Sequence, residues 1–356
     1  MSKIFLFISS IMLFSFSIHS QTSQEIITHT NEFLKTLNQD ELQQITIQFE
    51  DSLRTKWTNL PVGLAKRSGL RYGQLSEESK IKFHHLLATI FSSQGYLKVT
   101  SIMNLDDILN IIYEVMYDKN LISDEDYQQI RVLNWNYNNY FISIWDKPNN
   151  TNPWGLKFEG HHISINVSMI GDKYSVTPLF LGTDPAEVNL GKYSGLRVLS
   201  KEEDYGLRLI NLLSDEQKAI ATLDQEVPGD IITNPAGKRN ITEYQGIKAS
   251  DLTSNQKRLL ELLIKEYIKN LENDKSEEYL NKIEKSGIDQ IYFACIGSYE
   301  IRKPNYYIIN GPDFLIEYDN VGFQKDGNHI HSIWREKGND FGEDILKTHY
   351  LLEHNH

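Results

Sequence analysis

The sequence predicts an α+β protein in which a helical N-terminal part packs on a bent antiparallel sheet, with further helices inserted between strands. Three observations carry this. From Gln24 to about Tyr127 the apolar residues recur with a helical period. From Tyr140 onward short runs alternate apolar and polar residues between Gly and Pro breaks. Capping-box sequences recur within that strand-rich part. The chain has 356 residues, 40% hydrophobic and 11% aromatic, which is enough apolar material for a substantial core.

Taken in order, residues 1–20 read as a secretory signal peptide: Lys3, an apolar stretch from Ile4 to Ile18 broken only by serines, and small Ser20 before Gln21. The stretch is shorter than the ~20 residues of a membrane span, so cleavage near Ser20 is expected and an uncleaved anchor is the alternative. No long apolar run recurs, which predicts a secreted or periplasmic protein with no membrane span after cleavage. Residues 21–135 form the helical part and 136–356 the α+β part, expected to make one compact domain. The clearest helix starts at Ser76 with acidic Glu77 and Glu78, carries Phe83, Leu86, Leu87, Ile90 and Phe91 on one face, and is expected to stop at Gly95. Later helices are signalled by Ser200-x-x-Glu203, Ser214-x-x-Gln217 and Thr253-x-x-Gln256. Strands are expected over 140–145, 154–168, 175–181, 288–296, 306–310, 314–319 and 329–334, and residues 224–250 as a loop or lid.

Charge and composition exclude several classes. Thirty-six Lys and Arg stand against 48 Asp and Glu with no basic run, so neither nucleic acid nor an anionic membrane is an expected partner. The single Cys295, inside an apolar run, reads as a buried small hydrophobe. It rules out an intrachain disulfide and a multi-thiolate zinc site, leaving imidazole and carboxylate as the metal donors. No His-Glu-x-x-His, Gly-x-Ser-x-Gly, Walker or Gly-x-Gly-x-x-Gly sequence is present.

Histidine placement is the most informative signal. In 154–168 the apolar residues are even-numbered before Gly160 (Leu156, Phe158) and odd-numbered after it (Ile163, Ile165, Val167). Within one strand such a phase change needs a β-bulge, which Gly160 permits, and the bulge puts Glu159, His161, His162, Ser164 and Asn166 on one polar face. An ordinary solvent-facing strand is the plainer alternative. Near the C-terminus, Glu317 and Asp319 are two apart, as are His329 and His331, so each pair shares a strand face. Arg335 is placed to hold a carboxylate or an oxyanion, though a structural ion pair is the commoner role. Asp340 is expected to cap a short helix whose last turn carries His349, a cap or a ligand.

These motifs, Trp154-Gly-x-x-Phe-Glu-Gly-His-His-x-Ser-x-Asn, Gly311-Pro-x-Phe-Leu-Ile-Glu-Tyr-Asp-Asn, Asn328-His-Ile-His-Ser-x-Trp-Arg and Asn339-Asp-Phe-Gly-x-Asp-x-Leu with His349-Tyr, resemble a family of exported, largely bacterial proteins. It is the family of domain of unknown function 3500, and the resemblance runs from Trp57 to Tyr350. It brings no established activity. It implies that Glu159, His161, His162, Glu317, Asp319, His329, His331, Trp334, Arg335 and His349 belong to the characteristic motifs. The loop before His329, Gln324-Lys-Asp-Gly, departs from the family pattern.

The expectation is a mononuclear site on the polar sheet face for a divalent transition metal, zinc favoured, held by His161, His162, His329 and His331 with Glu159 or Glu317 as carboxylate ligand or base. Such a site suits hydrolysis of an ester, amide or phosphoester, with Glu317 or Asp319 taking a proton and Arg335 stabilising the developing anion. Two alternatives stand beside it: an iron- or copper-dependent oxidoreductase, and a non-catalytic periplasmic or secreted protein binding a glycan or peptide. In the latter Trp154 and Trp334 serve as platforms, with Asn166 and His349 as further contacts.

Overall fold

A computed structural model describes the backbone of residues 15–237 and 240–353. Residues 1–14, most of the expected signal peptide, and the terminal His354 and His356 lie outside the described residues. The strands are β1 (Thr46–Ile47), β2 (Leu70–Arg71), β3 (Phe141–Trp145), β4 (Trp154–Gly160), β5 (Ile163–Ile170), β6 (Lys173–Ser175), β7 (Leu179–Thr183), β8 (Ile247–Lys248), β9 (Tyr292–Gly297), β10 (Asn305–Asn310), β11 (Phe314–Asp319) and β12 (Ile330–Glu336). The helices are α1 (Ser15–Leu34), α2 (Gln39–Ile45), α3 (Glu77–Ile90), α4 (Ser93–Asp118), α5 (Asp124–Val132), α6 (Ser200–Leu212), α7 (Asp215–Ala221), α8 (Ser254–Ile268), α9 (Asn273–Ser286) and α10 (Glu343–Glu353). The fold is α+β, as expected. Among the described residues no helix is long and apolar enough to cross a membrane.

All twelve strands form one open sheet in the order β1-β3-β4-β5-β7-β12-β11-β10-β9-β8, with β2 beside β3 and β6 beside β5. Every pair is antiparallel except β1 with β3. The main part is therefore two antiparallel meanders, β3 to β7 and β9 to β12, joined where the last strand β12 pairs with β7. Helices α6 to α9 fill the connection between them. This join brings residues about 170 positions apart, such as His162 and His331, to one place. A single large core contains residues of the N-terminal helices (Ile26, Phe33, Phe83) together with sheet residues (Phe158, Ile165, Tyr318). Phe83 of α3 meets Phe158 of β4 edge to face at 5.0 Å.

Several local expectations hold. Ser76 caps α3 through the Ser79 amide, and Phe83, Leu86, Leu87 and Ile90 are buried on one face. The boxes at Ser214 and Thr253 form, and Cys295 is buried as a free thiol. Others need correction. The helix from Ser76 stops at Ile90, not Gly95, because Ser92 caps a new helix there. Gly95 lies in the first turn of α4, where a Cβ would lie 1.9 Å from the Asn270 carbonyl. Ser200 makes no capping box, since Glu203 is recruited into ion pairs with Arg197 and Arg302 at 2.6 Å each.

The run 154–168 is not one bulged strand. It is a hairpin, with Gly160 paired to Ile163 and the two histidines as its turn. Cross-strand partners share a face, and Phe158 pairs with Ile165 and Leu156 with Val167, so the change of phase is the antiparallel register itself. His162 takes the left-handed conformation at the second turn position, φ 62°, uncommon for a residue with a side chain. The polar face is not an open groove either. Lys157 donates to the carbonyls of Leu53 and Lys56 at 2.8 and 2.7 Å, and Ile231 packs on Phe180 and Ile333, so two connecting segments cover it.

Candidate metal centre

Three ring nitrogens converge at the join between the meanders. The Nε2 atoms of His162 and His329 are 2.8 Å apart, those of His162 and His331 3.2 Å, and those of His329 and His331 3.0 Å. All three residues are buried. Each is fixed by the backbone. The His162 amide donates to the Asn59 carbonyl at 3.2 Å, and its carbonyl accepts from the Gly182 amide at 2.8 Å. His331 lies directly across from Gly182 in the β7–β12 ladder. The period of two places His329 beside it, as expected.

Glycine is required at two contacts. A Cβ on Gly182 would lie 2.8 Å from Cδ2 of His162, and one on Gly322, itself at φ 56°, would lie 2.4 Å from Cβ of His329.

The other faces of the rings decide what the triangle does. Asp230 sits 2.7 Å from Nδ1 of His331, and Asp184 3.4 Å from Nδ1 of His329. A carboxylate at Nδ1 favours the tautomer with its proton there and leaves a lone pair on Nε2, the usual support of an imidazole that ligates a metal. Lone pairs facing one another at these distances repel unless a proton or a metal ion lies between them. Tetrahedral zinc with bonds of ~2.0–2.1 Å would separate its nitrogens by about 3.3 Å, a few tenths more than found. Burial, reinforced by the neighbouring imidazoles, pushes His162 and His329 well below the ordinary histidine pKa, so both are neutral at pH 7. Burial acts the same way on His331, but the carboxylates of Asp230, Asp319 and Asp184 together outweigh it and leave the pKa raised. Burial also lifts Asp184 to about 6.

The remaining candidates surround this triangle without joining it. His161 lies against His162 with ring centroids 3.8 Å apart and planes tilted by 31°, while its Nδ1 is held by Asp106 at 2.6 Å. Glu159 pairs with Lys157 at 3.2 Å and accepts from the Thr58 amide at 3.3 Å. Glu317 is fully buried and accepts from the amides of Ile232 and Thr233, the Thr233 hydroxyl and the Tyr306 hydroxyl. It thereby anchors the segment that carries Asp230. Arg335 does the same from the next strand, donating to the Thr233 carbonyl at 2.8 Å and its hydroxyl at 3.0 Å, with Asp340 as ion-pair partner. Asp319 lies across from His331 in the β11–β12 ladder; burial lifts it to about 7 against the pull of His331, and its Oδ2 is buried without a partner.

Trp154 and Trp334 are core side chains, 0% and 2% exposed, with Trp334 stacked on Phe314, so neither presents a platform to a ligand. Asn166 donates to Ser164 and to the Pro178 carbonyl. His349 is half-buried on α10. No local spacing in the sequence marks Asp230, Asp184, Asp106 or Gly182 for this site: Asp230 lies in the segment 224–250 expected as a loop or lid, and Gly182 and Asp184 lie in and just after β7.

A cleft of about 710 Å³ opens beside the triad, with His329, Asp184 and Asn328 among its lining residues. Apolar residues of α4 and α5, including Leu109, Met116 and Ile130, line it together with Phe323 of the loop before His329.

In comparisons with known proteins, the family described as "Protein of unknown function (DUF3500)" matches residues 19–343, and the chain belongs to it. No curated protein and no solved structure gives a match.

Proposed function

We propose that this chain is an exported enzyme that uses one divalent transition metal ion, zinc favoured, held by His162, His329 and His331, with hydrolysis as the favoured reaction. The observation that carries the reading is the convergence of three Nε2 atoms within 3.2 Å of one another, two of the rings backed by carboxylates at Nδ1. Three protein ligands are the number found in catalytic zinc sites, where the fourth position is free for water or substrate. An ion there supplies Lewis acidity toward a carbonyl or phosphoryl oxygen and lowers the pKa of water. The chain's own residues supply the rest: Asp230 and Asp184 orient the imidazoles, and Glu317 and Arg335 hold the Asp230 segment. The cleft on the His329 side admits a small molecule. Export rests on the signal-like residues 1–20.

Three imidazoles also suit copper or iron, so an oxidative reaction is the second reading. Protein purified without a histidine tag separates the two. Loaded with zinc, it should cleave a member of an ester, amide and phosphoester panel, and lose that activity on chelation and in His329→Ala. Inactivity with zinc across the panel, combined with oxygen consumption by the copper or iron form, would replace the hydrolytic reading with the oxidative one.

A further inference from the structure

The cleft beside the triad carries a charge pattern of its own. Four carboxylates, Asp126, Asp184, Glu187 and Asp326, are among its lining residues, and no Lys or Arg is. Arg302, outside the lining, neutralises Glu187 at 2.9 Å, and Asp184 faces His329. Asp126 and Asp326 make only local contacts, with the Ser123 hydroxyl and the Asn328 amide. The rest of the wall is largely apolar or aromatic. Tyr113 and Trp135 stack at 5.3 Å with an interplanar angle of 19°, forming a flat surface on the α4 side. Phe323, also in the lining, is 78% exposed, with its ring 6.4 Å from that of His329. An aromatic side chain this exposed at the mouth of an apolar cleft loses unfavourable contact with water when a ligand covers it. Away from the metal position, a carboxylate or phosphate entering here would meet like charge with no Lys or Arg in the lining to offset it.

We propose that the cleft takes a small molecule with a flat apolar body, uncharged or cationic in preference to anionic, the body lying between Phe323 and the Tyr113–Trp135 wall while any anionic reacting group stays at the metal position. The inference rests on the proposed function in one respect, that the reacting end of the bound molecule lies at His329.

Metal-free full-length protein is titrated with three naphthyl probes of one shape, 1-naphthylmethylammonium, 1-naphthylmethanol and 1-naphthoate, and Kd is read by NMR. Removing the metal keeps the carboxylate probe from binding as a metal ligand. The ammonium and alcohol probes should bind at least about tenfold more tightly than naphthoate. Phe323→Ala, at a position too exposed to affect folding, should weaken both by about three- to tenfold. Asp126→Asn with Asp326→Asn, which keeps the local acceptors, should narrow the gap between cation and anion. Naphthoate binding as well as the others, no binding by any probe, or no effect of Phe323→Ala would each overturn the proposal. Since binding is read without metal, such a failure leaves the metal reading standing, and selective binding by a protein that never takes up metal would sink only the latter.

Discussion

Gly182→Ala tests the geometry of the triad with a single methyl group. The added Cβ would lie 2.8 Å from Cδ2 and 3.2 Å from Cγ of His162, and 2.7 Å from the Ile330 carbonyl oxygen. Ordinary contact begins at 3.4 Å, so the His162 ring must retreat by about 0.6 Å and β7 must also part from β12 at the Ile330 carbonyl. The backbone of His162 cannot follow, being bonded to Asn59 on one side and to Gly182 itself on the other. Metal–ligand distances tolerate about ±0.2 Å, so the displaced Nε2 leaves the ligand position. Overpacking of this kind costs about 1–3 kcal/mol of stability, and loss of ligand alignment about 10–100-fold in metal affinity. Competition with a chelator of known zinc affinity measures the second quantity, and thermal melting of the metal-free protein measures the first. A variant that binds zinc within about twofold of the parent and melts at the same temperature would refute the reasoning.

Other outcomes follow from the same contacts. Asp230→Asn removes the carboxylate behind His331 and should weaken metal binding by about 10–100-fold while the protein stays folded, as read by chelator competition and circular dichroism. His161→Ala should keep the metal, because the Asp106-held ring does not share the triangle; loss of the ion in this variant would restore His161 as a ligand. Arg335→Ala breaks a buried ion pair and frees Thr233, so the melting point should fall by several degrees, matching a loss of about 3–5 kcal/mol. Adding zinc at about one hundred times its Kd to metal-free protein should raise stability by about 2.7 kcal/mol in denaturant unfolding, and no rise should occur in His329→Ala.

The fold class was legible because period and punctuation are local properties. The face of α3 reads directly from Phe83, Leu86, Leu87 and Ile90, and the capping boxes at Ser214 and Thr253 are contained within four residues each. His329 and His331 were legible for the same reason, since residues two apart in extended chain share a face, although β12 itself begins only at Ile330. The hairpin at His161 and His162 was not, because a bulge and a tight antiparallel turn both invert the phase of an alternating pattern, and only the pairing of Phe158 with Ile165 distinguishes them. Glu203 shows another limit: its spacing from Ser200 satisfies the capping rule, but two arginines on other segments compete for it. Tertiary partners likewise decide the roles of Glu317 and Arg335, which share a sheet face with His331 but are bound to Thr233. Asp230 reaches His331 across about a hundred residues, a contact that no local spacing encodes.

The central claim is that His162, His329 and His331 form one metal centre. Elemental analysis of untagged protein, beside His162→Ala, His329→Ala and His331→Ala, tests it most directly. The account predicts about one equivalent of a transition metal in the parent and essentially none in each of the three variants. A parent that carries no metal and takes up none from zinc, copper, iron or manganese, or three variants that keep it, would contradict the account.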